Sequence, residues 1–157
     1  MRKFVKLLVI AALMFAGYGC ETPTEKPQGE PQLEVTANNI AGSWKLASLK
    51  GGPLAEGSYV YIDFDRADRT FTMYQNTDSH YTRTLTGRYY IEIDEMGKAV
   101  IRGNYDHGVG EWNNRYVVTS LTANEMIWQA EGNPEDVSTY KRADIPAEIA
   151  GAAQEEN

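Results

Sequence analysis

Cysteine and histidine are scarce in this chain of 157 residues, and each shortage limits what the protein can be. The single cysteine, Cys20, has no partner for a disulfide within the chain, so the fold must be stabilised by packing alone. The two histidines, His80 and His107, fall in predicted turns at a spacing that matches no zinc motif. We therefore predict exposed loop histidines, no metal site and no cofactor. A metal site formed with Asp106 or Glu111 is the alternative.

The chain also lacks an excess of positive charge, because 22 acidic residues outweigh 15 basic ones and leave a formal net charge of −7. This balance argues against binding to nucleic acid and against contact with anionic lipid head groups through the protein surface. No Gly-x-Ser-x-Gly context presents a serine nucleophile, and no set of residues supplies a nucleophile, a base and an orienting group together. The sequence therefore predicts a protein that is not an enzyme.

An apolar run near the amino terminus, residues 7–16, follows a basic start and is too short to span a bilayer, which takes about 20 residues. Such a run is typical of a signal peptide. Small residues stand close before Cys20, and the pattern resembles a bacterial lipoprotein signal. The resemblance implies that the chain is cut before Cys20 and anchored in a membrane through acyl chains such as palmitate. Ordinary secretion is the alternative, but it would leave a free thiol in an oxidising compartment.

The composition divides the chain into four parts. Residues 1–19 are predicted to be the signal peptide, and residues 20–37 a flexible, proline-rich linker that cannot build a core. Residues 38–143 are expected to form one domain, and residues 144–157 a short helical or disordered tail. We expect a lipid-anchored protein of the cell envelope, at the outer membrane, facing either the periplasm or the outside.

Eight short runs in the middle of the chain are rich in Val, Ile, Thr, Tyr, Phe and Trp, the residues that favour β-strands. Turn-forming stretches separate them, and we interpret the aspartate-rich run Asp63–Asp68 as a hairpin turn and not as a calcium loop. Connections this short predict antiparallel neighbours. The runs are 43–49, 59–64, 70–75, 81–93, 99–105, 114–121, 125–130 and 138–142.

Apolar and polar residues alternate along these runs with a period of two, which indicates strands with one buried face. A meander of this length has two open edges unless it closes into a barrel. The sequence therefore predicts an all-β fold, an eight-stranded antiparallel up-and-down β-barrel with the apolar faces inside. In the fourth run the predicted inward residues are Leu85, Gly87, Tyr89, Ile91 and Ile93.

The segment Gly42-Ser43-Trp44 in the first run has the Gly-x-Trp pattern of lipocalins, and Arg142 stands at the end of the last run. Together with the eight runs, these residues resemble the lipocalin-like domains of bacterial lipoproteins, which are calycin-type β-barrels. The resemblance implies that Trp44 plugs one end of the barrel and that Arg142 packs across it. Gly42, Trp44 and Arg142 are therefore the predicted barrel-closing residues.

Several inward residues could line a cavity for an apolar ligand. The predicted cavity wall consists of Met73, Tyr89, Met126 and Trp128, and the alternative is that these side chains simply fill the barrel. Our first hypothesis is a membrane-anchored module that binds a small hydrophobic or amphipathic ligand. The second is a solid barrel whose outward tyrosines dock onto another component of the cell envelope. Those tyrosines include Tyr59, Tyr61 and Tyr90.

Overall fold

The computed structural model describes residues 29–152, and its strands follow the predicted runs closely. The predicted signal peptide, Cys20 and the last five residues lie outside the described residues. The elements are α1 (Ala37–Ile40), β1 (Gly42–Leu49), β2 (Val60–Asp65), β3 (Thr70–Gln75), β4 (Arg83–Ile93), β5 (Ala99–Tyr105), β6 (Gly110–Glu111), β7 (Tyr116–Leu121), β8 (Glu125–Ala130), β9 (Val137–Arg142) and α2 (Ala147–Ala152).

Eight of these strands form a closed antiparallel barrel. Consecutive strands pair from β1 to β5 and from β7 to β9, β5 pairs with β7, and β9 pairs with β1. The β5–β7 contact is the shortest between wall strands, with Val100 paired to Val117 and Ile101 to Tyr116. The two-residue strand β6 pairs with the end of β5, on the side of β5 that faces β7. The predicted eight-stranded antiparallel barrel is confirmed.

The burial of side chains matches the predicted inward faces in most strands. In β8 the residues predicted to face inward are all buried, and in β4 Gly87 and Tyr89 are buried. The prediction for Ile93 is wrong, because this side chain is 68% exposed. Thr70, the first residue of β3, pairs with Arg88, so residues 89–93 of β4 extend past β3. Ile93 therefore lies at the free end of the β4–β5 hairpin, outside the packed interior.

The turn between β2 and β3 begins within the aspartate-rich run, as predicted, while residues 63–65 form the end of β2. The side chain of Asp65 accepts hydrogen bonds from the backbone N–H groups of Ala67 and Asp68, each at 2.8 Å. Arg69 then adopts a positive φ of 57° before β3 begins. An aspartate that holds the backbone of the next residues in this way is typical of a tight turn.

The segment before α1 lies against the barrel. The backbone N–H of Leu33 donates to the carbonyl of Leu121 at 2.7 Å, and the carboxylate of Glu30 accepts from the side-chain amide of Asn124 at 2.7 Å. Residues 29–36 belong to the predicted linker 20–37. This part of the linker is therefore attached to the β7–β8 hairpin.

Both helices are short. The hydroxyl of Thr36 caps α1 by accepting from the backbone N–H of Asn39 at 3.3 Å. The carbonyl of Pro146 accepts from the N–H of Ile149 at 3.0 Å in the first turn of α2, within the tail that the sequence predicts to be helical or disordered. Among residues 29–152, no helix has the length and apolar character needed to cross a membrane.

Candidate functional site

Trp44 fills the end of the barrel at which β1 begins. Its side chain is fully buried, and its indole N–H donates to the carbonyl of Ile40 at 2.8 Å. The guanidinium of Arg142 lies over the indole, with its central carbon 3.6 Å from the ring centroid. A partly desolvated cation–π contact of this kind is worth about 1–2 kcal/mol. We call this end of the barrel the closed end.

Arg142 also joins the backbone segments that meet at the closed end. It donates to the carbonyls of Ala41, Asn39 and Ala123 at 2.6, 3.1 and 3.3 Å, respectively. Burial lowers the pKa of Arg142, but a guanidinium stays charged at neutral pH. Gly42 has a φ of 94°, and a Cβ at this position would lie 3.2 Å from Nη1 of Arg142. The three predicted barrel-closing residues therefore lie together, and Gly42 leaves room for the guanidinium.

A second buried tryptophan, Trp112, enters the interior from a segment at the opposite end of the barrel. Because the strands are antiparallel, their connections alternate between the two ends, and the segment between β5 and β7 lies opposite Trp44. Trp112 inserts from this segment, and its backbone N–H donates to the carbonyl of Gly103 at 2.8 Å. A Cβ at Gly103 would lie 2.4 Å from the indole of Trp112. This glycine therefore makes room for the ring, and we call this end the loop end.

Aromatic rings fill the interior next to Trp112. The centroid of Trp128 lies 4.7 Å from that of Tyr140, 5.3 Å from that of Tyr116 and 5.8 Å from that of Trp112. Phe71 meets Trp112 edge-on at 5.1 Å. These separations are those of favourable aromatic pairs, so the rings occupy this space with one another. The aromatic cluster is Phe71, Tyr105, Trp112, Tyr116, Trp128 and Tyr140.

Two indole N–H groups of the aromatic cluster have no hydrogen-bond partner. Within residues 29–152, Nε1 of Trp112 and Nε1 of Trp128 are both buried and unpaired. A buried donor without an acceptor costs about 1–3 kcal/mol, and few such groups persist in native proteins. Trp44 shows that this fold can satisfy a buried indole. The loop end therefore keeps two donors that the protein itself does not use.

The tyrosines of the aromatic cluster keep neutral hydroxyl groups. Burial raises the pKa of Tyr140 far above its ordinary value, and burial also raises the pKa of Tyr105 and of Tyr116. The side-chain amide of Asn114 lies 3.5 Å from the hydroxyl of Tyr116. The cluster is therefore uncharged at neutral pH and suits an uncharged ligand, or the uncharged part of an amphipathic one.

Comparison with known proteins agrees with this geometry. A family model described as a lipocalin-like domain matches residues 40–128, which is more than half of the chain. The chain belongs to the lipocalin-like domain family. An NMR structure of a protein from Bacteroides uniformis ATCC 8492 has the same fold at 18% identity, with a TM-score of 0.51 over 71% of this chain and 94% of that chain. No curated protein matches the chain.

The predicted wall residues lie at different depths of this lipocalin-like barrel. Trp128 belongs to the aromatic cluster, and Met126 is fully buried in the core. The side chain of Tyr89 in β4 extends to the β2–β3 turn, where its hydroxyl donates to the carbonyl of Asp65 at 3.1 Å. Met73 is half-buried against the core. Of the four predicted wall residues, Trp128 alone belongs to the group with unused donors.

Sequence reasoning did not place Trp112 in the interior of the lipocalin-like barrel, because this residue lies outside the runs of alternating residues. A usable signal is Gly103, which stands between the inward residues Ile101 and Tyr105 in β5. An inward glycine within a strand marks the close approach of another group. Here that group is the indole of Trp112.

The surface of the lipocalin-like barrel carries several open cavities and no cluster of metal ligands among the described residues. No three His, Cys, Asp or Glu side chains of residues 29–152 group closely enough to hold a metal ion. Four surface cavities have volumes of about 280, 460, 550 and 670 Å³. Neither Trp112 nor Trp128 lines any of these four. The cavities therefore belong to the outer surface and not to the aromatic cluster.

Proposed function

We propose that this lipocalin-like domain is a binding module, anchored to a membrane by lipid on Cys20, that takes a small, uncharged and largely aromatic or apolar ligand at its loop end. In this proposal the protein holds its ligand and does not transform it. The envelope location, at the outer membrane, belongs to the same proposal and rests on the sequence around Cys20.

The pair of unused indole donors supports ligand binding most directly. The rings of Trp112 and Trp128 lie 5.8 Å apart, and both N–H groups are buried without a hydrogen-bond acceptor among the described residues. A planar molecule with a carbonyl oxygen or ring nitrogen would accept from these donors while its rings stack on the aromatic cluster. Such a ligand takes the space that Trp112 now fills. Trp112 lies outside the regular strands, so it is the ring of the cluster best placed to move.

Titration with Nile red, a neutral planar dye with a carbonyl acceptor, tests this function. We expect saturable binding of one dye per chain, with blue-shifted dye emission and a change in tryptophan fluorescence. Trp128→Phe keeps an aromatic ring but removes the donor, and we expect it to weaken binding about tenfold, the value of one net hydrogen bond. Tyr90→Phe, on the outer wall, is the matched control and should leave the affinity unchanged. Saturable binding whose affinity is the same in the wild type and in Trp128→Phe would contradict the assignment.

A solid barrel that docks onto another envelope protein is the second candidate function. The mutual contacts of the rings at the loop end favour it, because they fill the space that a ligand would need. Trp112→Ala removes the filling indole and separates the two candidates. If neither the wild type nor this variant binds Nile red saturably, the solid barrel becomes the better assignment.

The lipid anchor is tested separately with Cys20→Ser in a bacterial host that processes lipoproteins. We expect the wild-type chain in the outer-membrane fraction and labelled by an alkyne analogue of palmitate. The variant should lose the label and leave the membrane fraction. A variant that remains with the membrane without the label would contradict anchoring through Cys20.

A further inference from the structure

The end of β4 has a free edge on the outer wall of the barrel. Thr70 at the start of β3 pairs with Arg88, whereas β4 continues to pair with β5 as far as Ile93, which lies opposite Ala99. Residues 89–93 therefore have a neighbouring strand on one side and none on the other. We call residues 89–93 the β4 overhang.

Backbone groups of the β4 overhang point out of the free edge. The N–H of Tyr89 donates to the carbonyl of Arg69 at 2.9 Å, so Tyr89 directs its backbone polar groups toward the β3 side. The direction alternates along an antiparallel strand, so the N–H and C=O groups of Ile91 and Ile93 point to the same side. Within residues 29–152 no backbone partner occupies them there. The overhang thus offers an unused row of donors and acceptors.

The β4 overhang lacks the proline and the lysine with which proteins often protect an edge strand. Its sequence, Tyr-Tyr-Ile-Glu-Ile, contains no proline and no lysine. Tyr90 is 37% exposed and Ile93 is 68% exposed, so apolar side chains flank the free backbone. An exposed, apolar edge of this kind is a template for pairing with another extended segment.

Positive charge lies beside the free edge. A cavity of about 460 Å³ is bordered by residues 89–92 of the overhang together with Asp68, Arg69 and Arg88. Among the described residues, no carboxylate oxygen lies within 4.0 Å of the guanidinium of Arg69 or Arg88. Only one carboxylate at the cavity, that of Asp68, has no ion pair within residues 29–152. The two guanidiniums therefore outnumber it.

The other carboxylate at the cavity, that of Glu92, is already paired. Its two oxygens lie 2.6 Å from Nε of Arg102 and 3.1 Å from Nη2 of Arg115. The guanidinium of Arg102 also lies 4.3 Å from the centroid of the Tyr90 ring. Because Glu92 is neutralised by these contacts, the groups at the cavity without an ion pair in the described part of the chain are Arg69, Arg88 and Asp68, which sum to one positive charge.

We propose that the β4 overhang binds an extended peptide segment of a partner protein, which adds to the barrel wall as a strand and presents an acidic side chain to Arg69 and Arg88. In this mode the backbone groups of Ile91 and Ile93 supply the hydrogen bonds, and the guanidiniums select the sequence. A second copy of the chain fits less well, because the acidic residue of its own overhang, Glu92, is already paired. The proposal is independent of ligand binding at the loop end.

Fluorescence anisotropy with two labelled hexapeptides tests the proposal. The first is Glu-Val-Thr-Val-Thr-Glu with blocked termini, and the second has lysine in place of both glutamates. We expect saturable binding of the acidic peptide by the full chain and at least tenfold weaker binding of the lysine peptide. Arg69→Gln, which leaves the edge intact, should reduce this preference.

A pair of variants at Ile93 separates the backbone from the side chain. Ile93→Pro removes the N–H that points out of the edge, whereas Ile93→Ala removes the same exposed side chain and keeps the N–H. We expect the proline variant to lose peptide binding and the alanine variant to keep most of it. Amide hydrogen exchange of Ile91 and Ile93 should slow when the acidic peptide is added to the wild type.

The proposal is overturned by absence of saturable binding, by equal binding of both peptides, or by peptide binding that the proline variant retains. A wild-type dimer that dissociates on Ile93→Pro would also overturn it and assign the edge to a second copy. Nile red affinity measured on the same variants should not change. Failure at this edge is therefore distinguishable from failure of the ligand site.

Discussion

The tryptophan at the closed end and the tryptophans that pack beneath the loop end differ in whether the indole N–H has a hydrogen-bond partner. At the closed end, Trp44 donates to Ile40 and is covered by Arg142, which itself donates to three carbonyls. At the loop end, Trp112 and Trp128 are buried with unpaired N–H groups. The closed end is thus chemically complete, whereas the loop end retains unused donors. Under the proposed function, this contrast separates a structural plug from rings that a ligand would displace.

The strongest test of the contrast compares Trp44→Ala with Trp112→Ala. Trp44→Ala should lower the free energy of unfolding by about 3–5 kcal/mol, because it leaves a cavity and the Ile40 carbonyl without its donor. The loss for Trp112→Ala should be smaller than that for Trp44→Ala by about 1–3 kcal/mol, because this substitution also removes an unpaired buried donor. Urea denaturation measures both values. Equal losses would show that the two ends do not differ in this way.

Gly103→Ala tests whether the space for Trp112 is specific. The added Cβ would lie 2.4 Å from the indole, so the ring must shift. We expect a loss of about 1–3 kcal/mol in unfolding free energy, as for other overpacked interiors, and a red shift of tryptophan emission. Gly52→Ala is the matched control, because the nearest atom to a Cβ there lies 3.9 Å away. An unshifted emission spectrum in Gly103→Ala would argue against close packing of Trp112 on this glycine.

Alkaline unfolding tests the loop end alone. Burial raises the pKa of Tyr140 in the folded state, while in the unfolded chain the ordinary value of 10.0 applies. Below that value both states keep the proton and stability does not depend on this group. As the pH rises above it, the unfolded state loses the proton first, so stability falls by up to about 1.4 kcal/mol per pH unit. Tyr140→Phe should flatten this slope between pH 10 and 11 in urea denaturation. An unchanged slope would contradict the burial of this hydroxyl.

The strand runs of this protein could be predicted from residue type and period because these signals are local. The alternation in β8 identified its buried face, and the turn residues between the runs located the hairpins. In β2 the predicted inward residues are buried, but the prediction for Tyr61 is wrong: this outward tyrosine is only 5% exposed, because the ring of Tyr59 and the ammonium of Lys45 lie beside it. The prediction failed at Ile93, where the local pattern continues but the neighbouring strand ends. A period of two reports which side of a strand a residue lies on, and it does not report whether anything covers that side.

The candidate site was predicted less completely than the fold. Trp128 was identified because it alternates within β8, and the pairing of Trp44 with Arg142 followed from the family resemblance. Trp112 was missed because its position depends on the path of the chain between β5 and β7. Its entry into the barrel requires Gly103, nine residues earlier and on another segment of the chain.

The sequence by itself determined an antiparallel barrel and most of its inward faces, because strand period and turn chemistry are carried by neighbouring residues. The residues at the closed end came from the resemblance to lipocalins. The tertiary structure alone decided how the interior is filled and where the wall leaves an edge free. The filling of the interior depends on the contact of Trp112 with Gly103, and the free edge depends on where β3 ends beside β4. Close packing depends on contacts between residues that are distant in the sequence, and local sequence patterns do not record those contacts.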